Sequence, residues 1–236
     1  MKKQPMLKVP PHPDYPPEEG RYLRGNDASP AAVVIILNTE ADHVPPDIER
    51  LVRTGIESGA AISGTVQTEN IGFEKIICNL VANPNIRYLI LGGPESAGHL
   101  TGEALKALFQ NGVDGKKRII GTASPHPFLF NISMEFIERL RKQVTLVDCQ
   151  FQEADVIRQA VWSCYQENPV EFQGSTLYDP GAYPEPPLSG RITWRVTQPW
   201  AEPADEKERE AKKKAQDLIA KLKARGDAIR KENGIK

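Results

Sequence analysis

Long apolar stretches are missing from this sequence. No run approaches the about 18 consecutive apolar residues of a transmembrane helix. The N-terminus, MKKQPMLKVPPHP, has two lysines but no apolar segment before its prolines, so it does not read as a secretory leader. Cysteine is scarce: Cys78, Cys149 and Cys164 are far apart and odd in number. That argues against a disulfide framework or a thiolate metal cluster and leaves them as small hydrophobes. Neither sign of charge is in excess, with 30 Lys and Arg against 31 Asp and Glu. Composition therefore gives no argument for nucleic acid or an anionic membrane as a partner. There is no G-x-x-x-x-G-K-[ST] phosphate loop, H-E-x-x-H, C-x-x-C or G-x-S-x-G elbow. What remains is the composition of a soluble, cytoplasmic protein, 39% hydrophobic with a mean hydropathy of −0.44.

Three textures follow one another along the 236 residues. Residues 1–30 form a Pro-rich arm, with prolines at 5, 10, 11, 13, 16, 17 and 30, in which Tyr15 and Tyr22 are candidates to pin it to the body. Residues 31–167 alternate in period. Ala31 to Leu37 (AAVVIIL) reads as a strand covered on both faces, and Asp47 to Glu57 as a helix opened by Pro45-Pro46. Ala60 to Val66 predicts a second strand, and Thr68 to Ala82 a helix capped by Thr68 with Ile71, Phe73, Ile76 and Leu80 facing the core. Further strands are expected at Ile86 to Leu91, Arg118 to Gly121 and Val144 to Val147. Helices are expected at Thr101 to Gln110, Ser133 to Lys142 and Glu153 to Tyr165. Five strands separated by helices imply an α/β fold: a Rossmann-like parallel sheet with helices on both faces. Residues 168–236 form an extension that is turn-rich at first and ends in a charged helix over 203–233. That helix is either a solvated face or a docking surface for a partner or a second copy.

The first strand ends in Leu37-Asn38-Thr39 rather than G-x-G-x-x-G, so dinucleotide binding is poorly supported. The third strand runs into Gly92-Gly93-Pro94-Glu95-Ser96-Ala97-Gly98-His99-Leu100-Thr101-Gly102, with Thr101 as the expected N-cap of the next helix. His99 thus sits on a loop at the carboxyl edge of the sheet, where ligands bind in open α/β folds. Such a histidine is either a hydrogen-bonded structural residue or a ligand, and a neutral imidazole is the commonest protein metal ligand. Gly98 and Gly102 would let a flat ligand approach the backbone. His126 is expected at the same edge, whereas His12 and His43 lie in the arm and a loop. The Thr68-Glu69-Asn70 junction is open to two readings, helix capping or a share in a ligand site.

Several of these segments occur together in one family. Gly98-His99-x-Thr101-Gly102 with Ala107-Leu108-x-x-Asn111-Gly112 resembles the A subunit of tetrahydromethanopterin S-methyltransferase. So do Gly20-x-Tyr22-x-x-Gly25-Asn26, Ala61-Ile62-Ser63-Gly64, Thr68-Glu69-Asn70-Ile71-Gly72-x-Glu74-Lys75, Asn83-Pro84-Asn85-Ile86-Arg87 and Arg118-Ile119-Ile120-Gly121. The resemblance implies a corrinoid protein that holds cobalamin, with His99 as lower axial ligand to cobalt and the site's one catalytic residue. The cobalt would take that nitrogen while it carries a methyl group and release it when the methyl leaves. Implied contacts to the cofactor are Gly92, Gly93, Glu95, Gly98, His99, Thr101, Gly102, Thr68, Glu69, Asn70, Gly121 and His126. Glu95, the nearest carboxylate in sequence, is the candidate partner for the other ring nitrogen of His99. Implied partners are methyltransferases that supply and accept the methyl group, with a homo-oligomer through helix 203–233 as a further expectation.

This chain departs from the family pattern at identifiable places. Glu103 stands where relatives carry Gln, and the loop Gly121-Thr122-Ala123-Ser124-Pro125-His126-Pro127-Phe128 replaces Gly-Ala-x-Gly-Ala-x-Pro-Phe. Against the wider cobalamin signature D-x-H-x-x-G, His99 and Gly102 fit but Ala97 replaces the Asp. A charged helix stands where membrane-complex members carry a hydrophobic anchor, so a relative without that anchor is expected. Two other functions remain in view: a cofactor-free scaffold assembling through 203–233, and a phosphate or nucleotide binder using helix N-termini at the sheet edge.

Overall fold

A computed structural model describes residues 9–38 and 44–164, and residues 206, 207, 209, 210, 213, 214 and 217 near the far end. The expected α/β architecture is present. The sheet has five strands in the order β1-β3-β2-β4-β5, and β2 (Ala31–Ile36), β3 (Ile62–Val66), β4 (Tyr88–Gly93) and β5 (Thr145–Gln150) are mutually parallel. The uninterrupted apolar run of β2 places it at the centre, with all six residues buried. Alternation divides it: Val33 and Ile35 enter one core with α1 (Pro46–Glu57) and α5 (Ala154–Ser163). Ala32, Val34 and Ile36 enter the other with α2 (Ile71–Val81), α3 (Thr101–Asn111) and α4 (Met134–Gln143). Burying each large aliphatic side chain contributes about 1.5–3 kcal/mol, which is why a strand covered on both faces tolerates no polar alternation.

Three expectations change. Arg118 to Gly121 is not a strand of the sheet; it makes only isolated bridges, Val113 to Ile119 and Arg118 to Phe128, within the segment linking α3 to α4. Asp114 explains this locally, since its carboxylate accepts the Lys116 and Arg118 amides and folds the chain back on itself. The fifth strand comes from the arm: β1 (Tyr22–Arg24) pairs antiparallel with β3, Leu23 opposite Ser63. Tyr15 is buried under Arg24, whose guanidinium lies 4.9 Å from the ring centroid and donates to the Tyr15 carbonyl at 2.6 Å. Helix α2 begins at Ile71 rather than Thr68; Asn70 is its N-cap, its side chain accepting the Ile71 amide at 2.7 Å, and Ile71 itself is exposed. Of the expected helix 203–233, the described residues are helical and exposed, with Arg209 and Glu206 paired at 3.8 Å; the rest lies outside the described residues. No helix among the described residues is long and apolar enough to cross a membrane.

Candidate functional site

From β2 the chain goes through α1 to β3 on one side and later returns to β4 on the other, so the strand order reverses at the carboxyl ends of β2 and β4. The turns that leave β3 and β4 both stand at this edge. Gly93 ends β4 at φ +85, and a Cβ there would come within 3.0 Å of the Ile36 backbone, so only glycine lets β4 pass so close to β2. At the far end of the turn Leu100 adopts the left-handed conformation (φ 51, ψ 45), a departure that costs about 1–3 kcal/mol in a non-glycine residue.

Helix α3 is capped from within this turn. Ser96 Oγ accepts the Thr101 amide at 3.1 Å, and the Glu95 carboxylate accepts the amides of Gly102 (2.8 Å) and Glu103 (3.0 Å). Neither sequence assignment here holds. Thr101 is the first helical residue rather than the N-cap, and Glu95 is committed to the helix terminus, where the dipole favours a carboxylate, rather than to His99. Thr101 Oγ1 donates to the Gln67 carbonyl at 2.8 Å, tying this turn to the one after β3.

That tie brings His99 onto Glu69. His99 Nδ1 lies 2.8 Å from Glu69 Oε2, across 30 residues of sequence, with the imidazole 38% exposed and the carboxylate fully buried. The His126 amide donates to the second oxygen, Glu69 Oε1, at 2.9 Å. Burial alone would push the Glu69 carboxyl up. Its own amide, the nearby Ser124 hydroxyl, the His126 amide and His99 outweigh that and hold it below the ordinary value of 4.5. An ionised carboxylate can only accept, so the proton on Nδ1 belongs to His99, and any lone pair the ring offers is at Nε2.

The other expected site residues divide by what surrounds them. A Cβ at Gly98 (φ +84) would meet nothing within 4 Å, so the backbone beside His99 faces open space. Gly102 does not: its Cβ would fall 2.2 Å from Gln150 Nε2, so its small size serves packing against β5. Gly92 likewise abuts Ile35 and Ile157. Gly121 lies by Asn111, and the His126 side chain is exposed while its amide reaches the site. Thr68 Oγ1 stands 3.4 Å from the Gly72 amide. A cavity of about 330 Å³ between β1, β3 and α2 shares Gln67, Thr68 and Asn70 with the Glu69 turn. Ser96, Thr122 and Ser124 carried no motif signal of their own, since what they do depends on contacts the chain makes only when folded.

Comparison with known proteins shows the family. The family model MtrA, which describes the A subunit of tetrahydromethanopterin S-methyltransferase, matches residues 8–178. This chain belongs to that family. Form 1 of the A subunit from Methanothermobacter marburgensis is 42% identical over 165 residues, which cover 69% of this chain and 65% of that protein. Form 2 from the same organism is 40% identical over 177 residues, 74% of this chain and 84% of the relative. The A subunit from Methanocaldococcus jannaschii is 39% identical over 163 residues, 67% and 63% of the two chains. The chain thus spans about two thirds of the length of several curated MtrA proteins, 65% in the first case. Glu103 meets Thr122 and Ala123, and with Ala97 two residues before His99 the carboxylate beside the ring is Glu69, from the turn after β3.

Proposed function

We propose that this MtrA relative is a corrinoid carrier that holds cobalamin with His99 as lower axial ligand. It would pass a methyl group from a C1 carrier of tetrahydromethanopterin or tetrahydrofolate type to a second acceptor such as a thiol, with partner methyltransferases activating each. The Glu69–His99 pair carries this reading: a buried ionised carboxylate holds one ring nitrogen and so aims the lone pair of the other outward. Among the described residues no group of three or more His, Cys, Asp or Glu could hold a bare ion. A metal bound here through one imidazole must bring its remaining donors with it, which a corrin does. Gly98 leaves the approach beside His99 clear for such a flat group. When bound, cobalamin supplies a cobalt that accepts a methyl group from one partner and yields it to the next.

The chain's own part is to orient and retain. Glu69 fixes the ring plane and the tautomer of His99, and Glu95 and Ser96 hold the helix terminus from which the His99 turn departs.

Titration of the purified protein with hydroxocobalamin, followed by absorbance, tests the proposal. Wild type labelled with 15N-histidine should take up one equivalent and, reduced to Co(II), show splitting from a 15N ligand in its EPR spectrum, and His99→Ala should lose that signature. No uptake, or identical spectra for the two proteins, would exclude it.

A further inference from the structure

Three carboxylates hold the segment between α3 and α4 against the site, and they do so at different points. Glu74, on α2, accepts both the Asn131 amide and its side-chain Nδ2 at 2.8 Å each. Glu69 accepts the His126 amide. Glu103, in the first turn of α3, accepts the Thr122 hydroxyl and, at 3.4 Å, the Ala123 amide. Thr122 Oγ1 in turn accepts the Ser124 amide at 3.1 Å, which turns the chain toward Glu69. The contacts close a ring. From His99 the chain runs four residues to Glu103, crosses to Thr122, proceeds to Ser124 and His126, returns to Glu69 and ends on the His99 ring.

We infer that Glu103, acting through Thr122, is a positioning residue for the Glu69–His99 pair, because it sets the segment whose Ser124 and His126 groups surround the Glu69 carboxylate. Three observations support it. Ser124 is buried at 3% exposure and its amide is held by Thr122 Oγ1, which keeps its hydroxyl beside the Glu69 carboxylate. Thr122 is itself buried at 8% and directs its hydroxyl to Glu103. Both oxygens of Glu103 are used, one by a hydroxyl and one by an amide; glutamine has a single acceptor oxygen and keeps at most one of these bonds as drawn. The inference rests on the corrinoid reading for its consequence but not for its geometry.

Its test has two arms. In the protein without cofactor, hydrogen exchange of the Ala123 to His126 amides and the NMR signal of the His99 Nδ1 proton are compared among wild type, Glu103→Ala, Glu103→Gln, Thr122→Val and Thr122→Ser. Glu103→Ala and Thr122→Val should speed exchange at His126 and broaden or shift the His99 proton, Glu103→Gln should do so less, and Thr122→Ser should restore both. In the second arm, hydroxocobalamin affinity should fall by about three- to tenfold in Glu103→Ala, less than the roughly 10–100-fold expected when a direct partner of a ligating histidine is removed. The double variant Glu103→Ala/Thr122→Val should be no worse than either single one. Unchanged His126 exchange and an unchanged His99 signal in Glu103→Ala would overturn the inference, whatever the cofactor does. If wild type takes up no hydroxocobalamin, the corrinoid reading fails and the first arm still decides the positioning role.

Discussion

His99 depends on a residue 30 positions away, and the dependence has a charge. Glu69 is fully buried and its carboxyl is held below 4.5, so the native state binds its proton less readily than the unfolded chain does. The sign follows from linkage: this stabilisation is complete above the unfolded pKa and is lost as pH falls through the lower native value. Glu69→Gln should therefore flatten the dependence of urea stability on pH below about 4.5, the ordinary value, while the wild type keeps losing stability there. Urea titrations at pH 7, 5 and 3.5 on both proteins measure it, and parallel curves would contradict the argument. The same substitution removes the charge that favours the outward lone pair of His99, so hydroxocobalamin affinity should fall by about tenfold. The three cysteines take no part: all are buried, and burial pushes the Cys164 thiol up to about 11, far from the thiolate that reacts or ligates.

At the scale of elements, the turn between β4 and α3 is held by its own helix. Glu95 and Ser96 receive the first three amides of α3, so the terminus that an anionic ligand would otherwise neutralise is already satisfied within the chain. That leaves the phosphate-binding alternative without its donors at this helix. Glu95→Ala should cost about 1–2 kcal/mol in urea unfolding at pH 7 through the lost cap and dipole interaction. Glu95→Gln, which keeps an acceptor oxygen, should recover part of it. The capping role was legible only as a location. Sequence places the cap at Thr101, which is instead the first residue of the helix. The choice fell to Glu95 and Ser96 because Leu100 turns left-handed and swings the preceding segment back over the helix end. Strand 118–121 failed for a related reason. Its β-branched pair Ile119-Ile120 looks like a strand, but the sheet offers β4 one free neighbour, and Thr145–Gln150 takes it.

On the scale of the whole molecule, the Pro-rich arm is structural. It supplies β1, which covers the outer edge of β3, and it is anchored by asparagines of the α2–β4 region: Asn79 with the Glu18 backbone and Asn85 with Val9. Tyr15, within this arm, is buried with its hydroxyl near the Asn83 side chain, and burial pushes its phenol well above the ordinary 10. A raised acid pKa means that the native state keeps a proton the unfolded chain releases, so stability is intact below about pH 10 and falls above it. Tyr15→Phe should cost no more than about 1.5 kcal/mol at pH 7, the worth of one hydrogen bond such as that to Asn83, and should blunt the loss of stability between pH 10 and 11. Thermal unfolding at pH 7 and across that range measures both, and an unchanged loss of stability between pH 10 and 11 in Tyr15→Phe would contradict the argument. Periodicity and turn chemistry in the sequence alone determined the α/β class, the parallel sheet, most of the helix and strand positions to within a few residues, and the place of His99 at the ligand edge. Those are local signals: they depend on which residues are apolar at spacings of two or three to four. The tertiary structure decided which carboxylate serves His99, what Glu103 is for and where the fifth strand comes from. Hydrogen-bond partners across 19 to 57 residues exist only once the strand order has placed particular turns side by side.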